Sequence, residues 1–147
     1  MKKEINFRKM QVEDIPCVAE LEQRSFHDAW TADMLGDELE MSLTHYLLME
    51  QEGQLLGYAG YWLVAGEAQI TRVAVFPEQR GQGLGIVLTQ ELLKDAFGLG
   101  AEAVTLEVRE SNIPAQKTYE HVGFKNAGIR PHYYENRENA IIMWLYK

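Results

Sequence analysis

The stretch Arg80-Gly81-Gln82-Gly83-Leu84-Gly85 lies directly after the apolar run from Ile70 to Phe76 and directly before the helical pattern from Ile86 to Phe97. A strand must therefore pass into a helix through a turn with glycine at every second position. Without side chains there, consecutive backbone N–H groups can face one point, and the helix that follows adds the positive end of its dipole. Such a turn suits an anion of the phosphate type, and Arg80 brings a permanent charge to it. A nucleotide-hydrolysing loop would place Lys and then Ser or Thr after the last glycine, but Ile86 and Val87 stand there. A dinucleotide-binding turn would set its third glycine three places after the second, whereas Gly83 and Gly85 are two apart. A glycine-rich helix entry with no ligand remains open on this stretch alone.

The surrounding pattern predicts a strand at Ile5–Arg8 and a helix carrying Ile15, Val18, Ala19, Leu21 and Phe26 behind Asp14. A second helix is predicted from a Thr31 cap, with Met34, Leu35 and Leu39 on its apolar side. Strands are expected at His45–Glu50 and Leu55–Leu63, joined by the polar turn Gln51–Gln54, and at Ala68–Phe76. The helix after the glycine turn runs to Phe97 and stops at Gly98 and Gly100. Val104–Val108 reads as a strand, and Ser111-Asn112 caps a helix from Ile113 to His121 that Gly123 ends. Phe124–Arg130 and Ala140–Tyr146 close the chain as strands around a polar loop, Pro131–Asn139. This order predicts an α/β (α+β) fold with a mixed, mostly antiparallel central sheet and helices on both faces. The strand before the glycine turn and the strand carrying Glu107 are expected to be neighbours across a right-handed crossover, with a cleft at their carboxyl ends.

At 147 residues the chain suits one domain, 1–147. A net charge of −8 argues against a nucleic-acid surface, which needs clustered Lys and Arg, and tolerates a basic peptide or an amine as substrate. No run is long and apolar enough to span a bilayer, and Met1-Lys2-Lys3-Glu4 leads into a mixed strand, so no membrane association and a cytoplasmic location are expected. The single Cys17 is expected to pack in the core, and His27, His45, His121 and His132 have no zinc spacing, so no metal is implied.

Beyond the glycine turn, the chain carries Gln69-Ile70-Thr71, Leu106-Glu107-Val108-Arg109 with Ser111-Asn112, Tyr119 with Gly123-Phe124, Gly128-Ile129-Arg130 with Tyr133-Tyr134, and Ile142-Met143-Trp144. Together with Arg80–Gly85 these motifs resemble the GNAT superfamily of acetyl-coenzyme-A-dependent N-acetyltransferases over nearly the whole chain. Within it the chain looks most like the RimI type, whose members acetylate the N-terminal alanine of a small-subunit ribosomal protein. Two positions depart from that pattern, Ala29 before Trp30, where many relatives have proline, and Asn139, where many have aspartate.

The resemblance implies acetyl-CoA as cosubstrate and the N-terminal peptide of a ribosomal protein as partner. It implies that Val73, Ala74 and Val75 offer backbone groups to the pantetheine arm, and that Gly81, Gln82, Gly83, Leu84, Gly85 and Ile86 hold the pyrophosphate with Arg80, alongside Asn112. Glu107 matches the general base and Tyr119 the general acid, while Trp30, Arg130, Tyr133 and Tyr134 are candidates to wall a peptide groove. On the residues alone, Glu107 reads equally as a strand-end carboxylate paired with Arg109 or another base, and Tyr119 as a core aromatic. Acetylation of another amine (a lysine, a polyamine or a small molecule) and non-catalytic sensing of coenzyme A are the alternative functions.

Overall fold

A computed structural model describes residues 4–147. Met1, Lys2 and Lys3, part of the N-terminal reading above, lie outside the described residues. Seven strands form one sheet in the order β1-β2-β3-β4-β5-β7-β6. They are β1 (Ile5–Lys9), β2 (Thr44–Gln51), β3 (Gln54–Val64), β4 (Glu67–Val75), β5 (Ala103–Arg109), β6 (Lys125–Arg130) and β7 (Ala140–Tyr146). Every neighbouring pair is antiparallel except β4 and β5. The helices are α1 (Ile15–Ser25), α2 (Ala32–Glu40), α3 (Leu84–Gly98) and α4 (Ile113–Val122). Leu84, Leu88 and Leu92 of α3 pack on one face of the sheet with Ile70, Val75, Leu106 and Val108. Val18, Leu21 and Leu35 of α1 and α2 pack on the other with Tyr46, Tyr58 and Ala74. The expected fold class, with helices on both faces, is therefore the one observed.

Local physics accounts for the element ends. The Thr31 side chain accepts from the Met34 N–H, and the Asn112 side chain accepts from the Ala115 N–H, so both expected caps form. Asp14 precedes α1 but does not cap it. Its carboxylate instead takes the Arg8 guanidinium at 2.7 and 2.8 Å and the Gln11 N–H. Cys17 is exposed, contrary to the core placement expected of it, because α1 turns Val18 and Leu21 inward and leaves position 17 on its outer side. Met34 is likewise 45% exposed while Leu35 is buried, so the inward stripe of α2 is narrower than its apolar residues suggest.

One irregularity positions the site. Gly60 pairs with Arg72 and Tyr61 with Ile70, so Thr71 is an extra residue bulging from β4. The bulge reverses the side-chain alternation. Ala68 and Ile70 face the α3 side before it, Val73 and Val75 face that side after it, and Arg72 and Ala74 point with α1 and α2. Pairing between β4 and β5 ends at Gln69 with Thr105, just before the bulge. Beyond that point the two parallel strands separate, which opens the sheet at their carboxyl ends.

The adjacent strand is packed closely here. Tyr46 lies flat over its cross-strand partner Gly60, where an added Cβ would stand 1.9 Å from the ring. The ring is held between Trp30 and Tyr58 and is 5% exposed, so it has nowhere to move. Gly60→Ala is expected to lower stability by about 2–3 kcal/mol, read as a shift of the urea midpoint at unchanged slope.

Candidate active site

The separated ends of β4 and β5 carry two connected cavities. The larger, of about 570 Å³, is lined by Val73, Ala74 and Val75 of β4, by Arg80, Gly81 and Gly83–Ile86 of the turn, and by α4. The smaller, of about 190 Å³, is lined by Thr71–Val73, by Leu106–Arg109 of β5 and by Tyr134. Phe26, Val73, Asn112, Ala115 and Tyr119 border both, so the two form one cleft that passes Tyr119. A third cavity, of about 550 Å³, continues from Phe26, Asp28, Arg109 and Asn112 toward Glu135, Asn136 and Glu138.

The glycine turn has the geometry its sequence implies. Gly81 and Gly83 adopt φ of +83° and +77°, and no atom lies within 4 Å of where a Cβ would be. Those conformations favour glycine, and they leave the backbone bare at the start of α3, where unpaired N–H groups and the helix dipole favour an anion. Arg80 lines the same cavity. Its guanidinium is anchored by Nε donating to the Val75 carbonyl at 3.0 Å and Nη2 to Ser25 Oγ at 3.2 Å, so it stitches the turn to β4 and α1 while adding positive charge. Gln82 is not among the lining residues, since its side chain folds back onto Gln79. Because the Phe76 N–H donates to the Leu56 carbonyl in β3, strand alternation turns the backbone of Ala74 to β3 and that of Val73 and Val75 to the open side. A diphosphate at the turn with an extended, amide-bearing arm along Val73–Val75 fits these donors and this shape.

Glu107 stands on β5 beside the smaller cavity with its side chain 13% exposed. Its Oε2 lies 3.4 Å from Arg130 Nε but has no hydrogen-bond partner among the described residues, so that oxygen holds unused acceptor capacity, while the Tyr133 hydroxyl also interacts with the carboxylate. Of the pairings considered from sequence, the one with Arg109 does not occur, whereas one with another base does, in Arg130. Arg109 instead lies 4.0 Å over the Tyr134 ring and 3.3 Å from Glu138, which tethers the 131–139 loop beside Glu107. Tyr119 reaches the junction of the cavities from α4, with its ring edge-on to Phe124. Burial first, and then the neighbouring Tyr134, push the Tyr119 phenol well above its usual range, so it stays protonated at neutral and mildly alkaline pH. Tyr134 is pushed up to about 12, again chiefly by burial.

The expected acceptor-side residues divide. Tyr134 lines the smaller cavity, whereas Trp30, Arg130 and Tyr133 line none of these three. Trp30 stacks on Arg72 and meets Tyr46 edge-on, and Arg130 lies over Tyr133 while reaching Glu107. Phe26 and Asp28, which the sequence reading left out of the site, border the cleft from the α1–α2 connection. Asn112 combines its cap bond to the Ala115 N–H with a place on all three cavities. Among the described residues no group of three or more His, Cys, Asp and Glu is placed to hold a metal ion, and no helix is long and apolar enough to cross a membrane.

Comparison with known proteins agrees with this geometry. Residues 15–124 match the model of the acetyltransferase (GNAT) family. The chain is 44% identical, over 99% of its length and 97% of the other, to a Bacillus subtilis (strain 168) protein provisionally designated a ribosomal protein bS18-alanine N-acetyltransferase. It is 33% identical, over 92% and 93% of the two lengths, to the ribosomal protein bS18-alanine N-acetyltransferase of Escherichia coli K12. The crystal structure of the ribosomal-protein-S18-alanine N-acetyltransferase from Escherichia coli superposes with a TM-score of 0.89 at 31% identity, covering 97% of this chain and 94% of that one. With a bare glycine turn at a helix start, a split sheet and a matching family model over most of its length, the chain belongs to the GNAT acetyltransferase family.

Proposed function

We propose that this chain is an acetyl-CoA-dependent N-acetyltransferase that moves an acetyl group directly onto the N-terminal alanine amine of a small-subunit ribosomal protein in the cytoplasm, with residues 1–147 acting as one domain. The observation that carries the reading is the meeting of the anion-binding cavity and the Glu107 cavity at Tyr119. The substrate class is taken from the designations of the relatives.

Acetyl-CoA, when bound, supplies an activated acetyl thioester. Gly81, Gly83–Ile86 and Arg80 hold its diphosphate, and the open backbone of Val73 with the Val75 N–H pairs with its arm and polarises the acetyl carbonyl. Glu107 accepts a proton from the incoming α-amine, directly or through a water. That step is needed because an α-amine with a pKa of about 8 is mostly protonated at neutral pH and cannot attack. Tyr119 donates a hydrogen bond to the departing sulfur. A thiol titrates at about 8.5 and an ordinary phenol at about 10, and burial holds Tyr119 above that, so full proton transfer is uphill and stabilising charge on sulfur is the larger part of its role. Exposed Cys17 lines none of the three cavities, which supports direct transfer over an acyl-cysteine relay.

The test is mass spectrometry of a panel of amines incubated with enzyme and acetyl-CoA. Peptides beginning with alanine are expected to gain one acetyl group at the N-terminus. Acetylation of lysine side chains, polyamines or small-molecule amines in preference to those peptides overturns the substrate assignment. Coenzyme A binding without turnover of any amine favours the sensor.

A further inference from the structure

We infer that Arg72 is a positioning residue for the acceptor side of the cleft, acting by clamping the α1–α2 connection onto the bulge of β4. The inference rests on the reading of the cleft as an N-acetyltransferase site. Four contacts carry it. The Arg72 guanidinium is sandwiched, 4.3 Å from the Phe26 ring and 4.4 Å from the Trp30 ring, so it grips both ends of the connection. Its Nη2 donates to the Asp28 carbonyl at 3.1 Å and lies 3.2 Å from Glu22 Oε1. Glu22, fully buried on α1, also accepts from the Trp30 N–H at 2.8 Å and from the Tyr58 hydroxyl. The connection is thereby tied to α1, β3 and β4 through one cation.

The consequence falls on the acceptor. Phe26 and Asp28 border both the Glu107 cavity and the cavity that leads away between them and the 135–138 segment. A peptide reaching Glu107 along that route passes the face of the connection that Arg72 holds. The anion-binding turn lies on the other side of Tyr119 and keeps its own anchors at Val75 and Ser25. Phe26 borders the larger cavity too, but Asp28 borders only the other two, so Arg72 bears on the peptide more than on the cofactor.

Arg72→Lys separates positioning from simple stability, because it keeps a cation and a donor for Glu22 and the Asp28 carbonyl but loses the flat face between the rings. The expected result is a rise of about 10-fold in KM for an alanine-initiated peptide, with KM for acetyl-CoA changed by less than about threefold. Hydrogen exchange of residues 26–31 is expected to accelerate while α3 and the centre of the sheet keep their protection. Equal rises in both KM values, or unchanged exchange in 26–31, would overturn the inference. Should the lysine variant fail to fold, Trp30→Leu removes one face of the clamp, leaves the Glu22 pair, and is expected to give the same split. If the wild type acetylates no peptide, the proposed function has failed, and exchange in 26–31 alone decides whether Arg72 holds the connection.

Discussion

Glu107→Gln is expected to lower kcat for an alanine-initiated peptide by about 10²–10⁴-fold, with acetyl-CoA binding within about twofold of wild type. The amide keeps the shape of the side chain and its place between Arg130 and the cavity, but cannot take a proton from the amine. Coenzyme A release measured across pH gives the signature. Below about pH 8 the substrate is mostly ammonium and the variant lacks the means to deprotonate it. Above that value the solvent does so, so the ratio of wild-type to variant rate is expected to shrink as the pH rises. A constant ratio would mean that Glu107 contributes charge or packing and not proton transfer. Tyr119→Phe should cost less, about 10- to 100-fold, since it removes one hydrogen bond to a developing thiolate that is already a fair leaving group.

The glycine turn was legible because its physics is local. Glycine spacing, a strand before it and a helical period after it are contained within about 30 residues, and the caps at Thr31 and Asn112 are equally short-range. The bulge at Thr71 was not. An extra residue leaves only a change of parity, from Ala68 and Ile70 to Val73 and Val75, across a polar pair that a strand tolerates on either face. Nor did the pattern reveal that β7 inserts between β5 and β6, which is a matter of register between distant segments. In the site, Glu107 and Tyr119 stood out only through the family resemblance, since a strand-end carboxylate and a helix aromatic are ordinary by themselves. Phe26 and Asp28 reach the cleft because Arg72, more than 40 positions away, draws their connection down. Trp30, which the resemblance offered for the peptide groove, is half of the Arg72 sandwich and lines none of the three cavities.

Removing the cation outright is expected to have the largest effect on stability. Arg72, 12% exposed, is the partner of a Glu22 that no solvent reaches, and Arg72→Met would strand that carboxylate in the α1–α2 core. Breaking a buried pair on one side typically costs about 3–5 kcal/mol, because the remaining charge has neither water nor a counterion. Replacing both partners is a different matter. In Glu22→Gln with Arg72→Met, the amide still accepts from the Trp30 N–H and still meets the Tyr58 hydroxyl, while methionine fills part of the space between Phe26 and Trp30. The double variant is expected to recover about 2 kcal/mol of the single loss in urea unfolding, with the remainder reflecting the lost stacking and the Asp28 carbonyl. A double variant no more stable than Arg72→Met would show that the cost lies in stacking between the rings and not in the buried charge. The pair would then have to be regarded as incidental to an aromatic clamp.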